Sequence, residues 1–191
     1  MKMIDISKGV LTSPVYPGDP EPELQKIYNR AKNDQMNLSV LKACVHTGTH
    51  ADSPSHYLDS SMTVDKLPLE LFIGRCKVVP CSGIADNKFV SSLQMDGCKI
   101  LLVKGNISFG EDVYTAIVEK GITTIGTEAD TIGDDDVHKA ILGRNIAVLE
   151  NLDLSQAAEG EYFLVAPPVK IEESDGAFVR AVLIEGFQSV Y

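Results

Sequence analysis

Three histidines and an aspartate fall within eleven consecutive residues, and this is the main chemical signal in the sequence. They are His46, His50, Asp52 and His56, whereas the whole chain of 191 residues contains four histidines. Imidazole nitrogen and carboxylate oxygen together suit zinc, manganese or iron better than calcium or magnesium. The cluster therefore predicts a divalent-metal site with a histidine at its rim.

The spacing of these residues argues against one continuous helix or one straight strand. On a helix, His46 and His50 would share a face, but Asp52 would lie about 200° away from His50 because each residue turns by about 100°. On a strand all of them would share a face. The two histidines would then be about 13 Å apart, which is barely within reach of imidazoles that bind one ion at about 2 Å.

The chain must therefore bend within the motif. Residues 38–45 are apolar enough to form a strand that leads into a ligand loop. Gly48 permits unusual backbone angles and Pro54 ends a regular strand, so both favour such a bend. The alternative is that the histidines are polar loop residues and that Asp52 caps a turn.

The motif at residues 46–56, His-x-Gly-Thr-His-x-Asp-x-Pro-x-His, resembles the signature of the cyclase family, which includes bacterial kynurenine formamidases and isatin hydrolases. The resemblance covers nearly all of the chain. It extends to residues 14–19 (Pro-Val-Tyr-Pro-Gly-Asp), to residues 63–70 and to residues 142–152. It implies a swivelling β/β/α domain, that is, an α/β fold with a mixed β-sheet core and flanking helices.

The resemblance also implies a set of metal ligands. His46, His50 and Asp52 would bind one divalent ion. Asp52 would bridge to a second ion, for which His138 and Glu150 match the remaining ligands. The other interpretation of this last pair is a solvent-facing helix histidine and a glutamate at a strand end.

The remaining family positions concern catalysis and the substrate. His56 matches the catalytic histidine of the family, and Tyr16 and Asp19 fall in a segment that lies near the active site in family members. Residues 14–22 contain four prolines, so this segment cannot form an internal strand or helix. It either packs at a pocket rim or subunit contact, or is an ordinary surface loop. Because family members are typically homo-oligomers, we expect a homodimer or a higher homo-oligomer.

The predicted ligand set determines the chemistry that we expect. A divalent ion held by imidazoles and carboxylates lowers the pKa of bound water from about 16 toward about 7 and polarises a carbonyl oxygen. Hydrolysis of an amide also needs a group that carries a proton to the leaving nitrogen, and histidine suits this transfer. We therefore expect His56 to move the proton in a metal-dependent hydrolase that cleaves a C–N bond of a small amide, formamide or lactam. The expected cofactor is zinc or manganese, with up to two ions per chain.

Two alternatives to this function stay open at this stage. The first is that the substrate is N-formylkynurenine itself. Many kynurenine formamidases have tryptophan in the position of Tyr16, however, and this chain contains no tryptophan. The second alternative is a metal-binding protein without activity, and the presence of His56 argues against it.

Composition limits the possible partners. The formal net charge is −10 and the isoelectric point is near 4.8, which argues against binding to nucleic acid or to anionic membrane surfaces. No run of 18 apolar residues occurs, and the N-terminus lacks the apolar core of a signal peptide, so we expect a cytoplasmic protein. The four cysteines have no paired C-x-x-C spacing, and we expect reduced thiols.

Short runs rich in Val, Ile and Leu predict most of the regular structure. Strands are predicted over residues 75–79, 99–103, 123–126, 145–149, 162–166 and 180–184. Helices are predicted over residues 111–120 and 134–143, and the second begins with three aspartates that favour a helix N-terminus. Alternation of strands and helices, with no linker or repeat, predicts a single α/β domain over residues 1–191.

Two glycine-bearing loops, residues 103–110 and 125–133, follow predicted strands. Neither contains a G-x-G-x-x-G or P-loop pattern, so nucleotide binding has no support. Ligand sites in α/β sheets usually lie at strand ends, and we expect both loops to line the pocket. No G-x-S-x-G motif occurs, which argues against a serine hydrolase.

Overall fold

The computed structural model describes residues 1–59 and 62–187. In this part of the chain the strands are β1 (Lys2–Asp5), β2 (Glu23–Tyr28), β3 (Leu38–Lys42), β4 (His50–Asp52), β5 (Ile73–Pro80), β6 (Gly83–Ala85), β7 (Ile100–Lys104), β8 (Ile107–Phe109), β9 (Thr124–Thr127), β10 (Ala147–Glu150), β11 (Gly160–Val165), β12 (Gly176–Phe178) and β13 (Val182–Glu185). The α-helices are α1 (Asn87–Ser92), α2 (Val113–Glu119) and α3 (Asp135–Leu142). Short 3-10 helices cover Arg30–Lys32, Pro54–His56, Val64–Lys66 and Leu69–Leu71.

Nine strands form one mixed sheet, in the order β1-β13-β11-β5-β7-β9-β10-β4-β12. The four neighbours β5, β7, β9 and β10 are parallel, and the pairs on either side of them are antiparallel. All six strands predicted from apolar runs are present, and their bounds agree with the prediction within two residues. The expected α/β fold with a mixed sheet is confirmed.

The central strands are buried on both faces, and their alternate side chains enter two separate cores. On β7, Ile100 and Leu102 pack into one core, whereas Leu101 and Val103 pack into the other. The second core also contains the buried faces of all three α-helices. On β4, Ala51 lies in the first core, so the side chains on either side of it point to the helix-covered face.

The helix predictions are confirmed for residues 111–120 and 134–143, where α2 and α3 occur. Asp134 is the N-cap of α3, because its side chain accepts hydrogen bonds from the backbone N–H groups of Asp136 and Val137. The first aspartate of the triplet therefore caps the helix.

The strand predicted over residues 38–45 is present as β3, and it leads into the loop that carries His46, as expected. It ends at Lys42 and pairs with β2 in a separate hairpin, and all eleven residues of these two strands are exposed. The predicted ligands begin in the loop that follows it and continue on a new strand, β4. An apolar run alone does not distinguish a buried strand from an exposed one.

The four cysteines are free thiols, two of them buried and two partly buried. Burial raises the pKa of Cys76 to about 12, which keeps this thiol protonated. Among the described residues, no helix has both the length and the apolar character needed to cross a bilayer.

Candidate metal centre and active site

The short strand β4 is the scaffold of the site, because it lies between β10 and β12 in the sheet. Its register places His50 opposite Glu150 on β10, and places Asp52 opposite Gly176 on β12. Side chains of paired residues lie on the same face of a sheet. Hydrogen bonding between strands that are far apart in sequence therefore brings His50, Asp52 and Glu150 together.

Two glycines allow the preceding loop to carry His46 into the same place. Gly48 has φ +68°, a conformation that favours glycine, and a Cβ there would lie 3.2 Å from the Lys8 carbonyl oxygen. At Gly176 a Cβ would lie 2.6 Å from Cε1 of His46, which is closer than atoms can approach. The bend expected at Gly48 is present, and the His46 ring occupies the space that Gly176 leaves open.

His50 is fixed by a hydrogen bond to the backbone. Its Nδ1–H donates to the Gly48 carbonyl oxygen at 2.9 Å. The opposite ring atom, Nε2, lies 3.3 Å from Oδ1 of Asp52 and 3.4 Å from Oε2 of Glu150. With Nδ1 occupied, Nε2 is the atom that holds either a proton or a metal ion.

His138 approaches from α3 and faces the other oxygen of Asp52. Its Nε2 lies 3.2 Å from Oε1 of Glu150 and 3.7 Å from Oδ2 of Asp52. Its Nδ1–H donates to the Asp134 carbonyl oxygen at 3.3 Å. Glu150 is held in turn by the Ile132 N–H, which donates to Oε1 at 2.7 Å. The two oxygens of Asp52 therefore face different histidines, as a bridging ligand would require.

We call the four buried residues His50, Asp52, His138 and Glu150 the floor of the site. The exposed fraction of each is 4% or less. Carboxylates and imidazoles are rarely buried unless they are paired or bind metal. The family-implied ligands are thus all brought together, with His46 beside them at 2.9 Å from Asp52.

Protons on the histidines balance the negative charges of the carboxylates in the cluster. Burial lowers the pKa of His46, but hydrogen bonds to Asp175 and Asp52 outweigh it and raise the pKa to about 9. Burial likewise lowers the pKa of His138, but the nearby carboxylates of Asp52 and Glu150 outweigh it and raise the pKa to about 9. Burial raises the pKa of Asp52, yet the imidazoles of three histidines beside it hold the pKa well below its usual range. A divalent cation could supply the same positive charge in place of these protons.

Two buried atoms indicate where such a cation fits. Within the described residues, Nε2 of His50 and Oδ2 of Asp52 are buried without a hydrogen-bond partner. Two groups of potential ligands have their donor atoms within 4.8 Å of one another, and Asp52 belongs to both. They are His46, Asp52 and His56, and His50, Asp52 and Glu150. The mixed nitrogen and oxygen donor set fits a divalent metal ion.

These groups differ from the ligand set that the resemblance implies, because His56 joins His46 and Asp52, His50 joins Asp52 and Glu150, and His138 belongs to neither group. The resemblance pairs His46 with His50, whereas the geometry brings His56 within the reach of His46 and Asp52. The His56 ring stacks on the His46 ring, with centroids 4.0 Å apart. His56 is less buried than the floor, with 27% of its side chain exposed.

Asp175 is a site residue that sequence reasoning missed. Its Oδ2 lies 2.8 Å from Nε2 of His46 and 3.4 Å from Nδ1 of His56. A hydrogen bond from His46, and then the nearby imidazole of His56, hold the pKa of Asp175 well below its usual range. The carboxylate is therefore an anion near neutral pH.

Tyr57 is a second residue that was not predicted. Its ring stacks on His138 with centroids 4.6 Å apart, and its hydroxyl donates to Oδ1 of Asp135 at 3.3 Å. Burial, together with the Asp135 charge, raises the pKa of Tyr57 to about 12, so the hydroxyl stays protonated. Tyr57 thus packs against the floor from the side of α3.

A cavity of about 830 Å³ opens over the floor. Tyr16 and Asp19 line it, and residues 14–22 form no strand or helix, as the prolines predicted. Of the two glycine-bearing loops, residues 125–133 line the cavity, as expected, through Asp130, Thr131 and Gly133. The expectation for residues 103–110 is wrong, because they form β8 and lie outside the described lining of the cavity.

We call Tyr16, Asp19, His56 and Asp175 the rim of the site. These side chains line the cavity but are far more exposed than the floor, reaching 54% exposed for Tyr16. The histidines and carboxylates of floor and rim together can hold one or more divalent ions next to an open cavity. Such an arrangement can activate water and move protons beside a bound small molecule.

Comparison with known proteins gives consistent results. The sequence model of a family described as "Putative cyclase" matches residues 4–99. A kynurenine formamidase of Salinibacter ruber (strain DSM 13855 / M31) is 32% identical, with 96% of this chain and 97% of the relative covered. The solved structure of a potential metal-dependent hydrolase with cyclase activity superposes with a TM-score of 0.83, at 26% identity and with 95% and 96% of the two chains covered.

An isatin hydrolase of Labrenzia aggregata superposes with a TM-score of 0.82. Its sequence is 17% identical, and the match covers 95% of this chain and 93% of that one. At this identity the likeness supports the fold alone.

Proposed function

The chain belongs to the putative cyclase family, and we propose that the floor is the metal centre of a hydrolase that cleaves a C–N bond of a small amide, formamide or lactam. The observation that carries the proposal is the unpartnered pair of buried atoms, Nε2 of His50 and Oδ2 of Asp52. His50 also lines a cavity large enough for a small molecule.

The residues that would hold the metal are the four floor residues together with His46. Asp52 is suited to bridge two ions because its oxygens face different histidines. When bound, a divalent ion lowers the pKa of a water molecule and polarises the carbonyl group of the substrate. We propose zinc or manganese, with up to two ions per chain.

We assign proton transfer to His56. Its ring lies at the edge of the cavity and is partly exposed, so a substrate can approach it. An imidazole there can take a proton from the attacking water and give it to the leaving nitrogen. A metal-retaining protein that only bound a ligand would not need this histidine, and its presence supports catalysis.

The charge of the cavity favours neutral substrates over anions. Outside the metal ligands, six carboxylates line it, and Lys139 is the one lysine or arginine among its described lining residues. The carboxylates are Asp19, Asp130, Asp134, Asp135, Asp136 and Asp175. An anionic substrate would be repelled at this mouth. N-formylkynurenine carries both a carboxylate and an ammonium group, and it is the second candidate because relatives are named kynurenine formamidase.

A panel of substrates tests the function. Zinc- and manganese-loaded protein is assayed with formanilide, isatin, N-formylkynurenine and 2-formamidobenzoate, the last being an anionic partner of formanilide. We expect hydrolysis of formanilide or isatin, and a lower kcat/KM for 2-formamidobenzoate than for formanilide. If none of the four compounds is hydrolysed, the proposed function is contradicted. A higher kcat/KM for 2-formamidobenzoate than for formanilide would contradict the charge argument.

We also propose that the protein is a homodimer or a higher homo-oligomer, with the β2–β3 hairpin in the interface. Six large apolar side chains of this hairpin are between 42% and 50% exposed. They are Leu24, Ile27, Tyr28, Leu38, Val40 and Leu41. A two-stranded hairpin is at best marginally stable alone, and an exposed apolar patch marks an interaction surface.

Light scattering tests the assembly. We expect the parent to be at least dimeric at micromolar concentration, and Val40→Asp to dissociate it. Ile84→Asp is the matched control, since Ile84 is 63% exposed but lies on β6, outside the hairpin. A monomeric parent would refute the proposal.

A further inference from the structure

Asp175 stands at the point where the two partly exposed histidines of the site meet. Its Oδ2 contacts Nε2 of His46 at 2.8 Å and Nδ1 of His56 at 3.4 Å. The stacked rings of His46 and His56 thus converge on one carboxylate oxygen. No part of the proposed ligand set or of the proton transfer uses Asp175.

Hydrogen bonds hold the backbone of Asp175 against Ser53, the residue that follows β4. Its carbonyl oxygen accepts hydrogen bonds from both the N–H and the hydroxyl of Ser53, each at 2.9 Å. The next residue, Gly176, pairs with Asp52 in the ladder between β12 and β4. The sheet therefore fixes the position from which this carboxylate reaches the histidines.

The two histidines depend on Asp175 to different degrees. His46 has a second carboxylate partner, because its Nδ1 lies 2.9 Å from Asp52. For His56, the carboxylate contact found among the described residues is the one to Asp175. The other described contacts of the His56 ring are ring contacts with His46, Tyr57 and His138. Removal of Asp175 would leave His46 paired and His56 without a carboxylate.

We propose that Asp175 is a positioning residue that acts through His56, an inference that rests on the proposed function. Asp175 accepts a hydrogen bond from Nδ1–H of His56, so that Nε2 is the atom that takes a proton from water and gives it to the leaving nitrogen. Asp175 itself takes up no proton. The 3.4 Å separation is longer than a formed hydrogen bond, and catalytic hydrogen bonds commonly tighten when the substrate is bound.

Kinetics of zinc-loaded variants test this role. We expect Asp175→Ala to lower kcat by about 10- to 100-fold, the usual effect of losing a residue that orients another. KM and the zinc content per chain should stay near those of the parent. In a His56→Ala background, Asp175→Ala should lower kcat by less than about twofold, because both substitutions disable the same proton transfer. Asp175→Asn keeps the size of the side chain and serves as the test variant if Asp175→Ala does not fold.

Glu172→Ala is the matched control, because Glu172 is an exposed carboxylate in the same segment. It should leave kcat and zinc content unchanged. Loss of zinc from the Asp175 variants would overturn the proposal, since Asp175 would then act through His46. A full additional loss of kcat in the His56→Ala background would overturn it as well.

Nuclear magnetic resonance of the histidine ring nitrogens tests the contact without any substrate. The chain has four histidines, so the ring signals of the zinc-loaded protein can be assigned by substitution. We expect His56 to carry its proton on Nδ1 in the parent and in Glu172→Ala, and to lose this tautomer preference in the Asp175 variant. A parent in which Nε2 carries the proton would overturn the proposal. A parent that shows the expected tautomer but hydrolyses nothing would contradict the proposed function instead.

Discussion

The floor and the rim of the site contain the same kinds of side chain but differ in how they are held. The floor residues are at most 4% exposed, three of them are hydrogen-bonded to backbone atoms, and strand register fixes Asp52. On the rim, by contrast, 54% of Tyr16 and 47% of the Asp175 side chain are exposed. A buried, rigid set of ligands suits a metal ion, whereas partly exposed groups suit proton transfer and substrate contact.

Substitution in the floor should have the largest effect. His50→Ala removes a ligand and leaves Asp52 and Glu150 buried without this partner, which costs about 3–5 kcal/mol of the free energy of unfolding. We expect the variant to lose most of its metal and its turnover to fall below detection. Elemental analysis and an activity assay measure both. A variant that kept its metal and its turnover would contradict the assignment of metal binding to the floor.

Substitution of His56 on the rim should separate catalysis from metal binding. We expect His56→Ala to lower turnover by about 10²- to 10⁴-fold while the metal content stays near that of the parent. If the metal is lost instead, His56 is a ligand with His46 and Asp52, a grouping that the geometry also permits. Unchanged turnover would remove His56 from the mechanism.

The pH dependence of stability should differ between the metal-free and the metal-loaded protein. His46 and His138 have pKa values raised to about 9, so without metal their protonated forms stabilise the fold fully below about pH 6.5. This stabilisation is lost as the pH rises through 9. We expect Tm of chelator-treated protein to fall by at least about 2–4 °C between pH 6.5 and 9, the shift that 1 kcal/mol produces in a domain of this size.

Zinc-loaded protein is the control for this experiment. Metal binding requires deprotonated histidines, so its affinity increases with pH. The difference in Tm between zinc-loaded and metal-free protein should therefore widen from pH 6.5 to 9. A difference that narrows over this range would mean that protons and metal do not compete for the floor.

The smallest effect is expected at Tyr16, whose side chain is half exposed at the cavity. Tyr16→Ala should raise KM about fivefold, as expected for the loss of about 1 kcal/mol of contact with the substrate. The free energy of unfolding should change by less than about 0.5 kcal/mol. Steady-state kinetics and thermal melts measure these quantities, and an unchanged KM would exclude Tyr16 from the substrate site.

Much of the floor could be predicted because its residues are chemically distinctive. Histidine is rare in this chain, and three of the four histidines lie within one motif. His138 and Glu150 are far from that motif in sequence, and family resemblance alone indicated them. Their approach depends on the pairing of β4 with β10 and on the packing of α3, neither of which leaves a local pattern.

Asp175 could not be predicted for two physical reasons. Aspartate is common in this acidic chain, and Asp175 lies 129 residues from His46, so nothing local connects them. The strand that follows it, β12, has three residues, which is too short for an alternating pattern to be recognised. The six strands of the main sheet that were predicted contain short runs rich in Val, Ile and Leu, of which β7 is the clearest example.

Titration of metal-free protein with zinc tests whether the floor is a catalytic metal centre. A chelator removes the metal, and zinc is then added in known equivalents per chain. Native mass spectrometry measures the bound zinc. Activity is measured in parallel with the panel substrate that the zinc-loaded protein cleaves fastest. We expect the metal-free protein to be inactive, and the activity to rise with bound zinc and to saturate at no more than two ions per chain. Full activity of folded, metal-free protein would contradict this role of the floor.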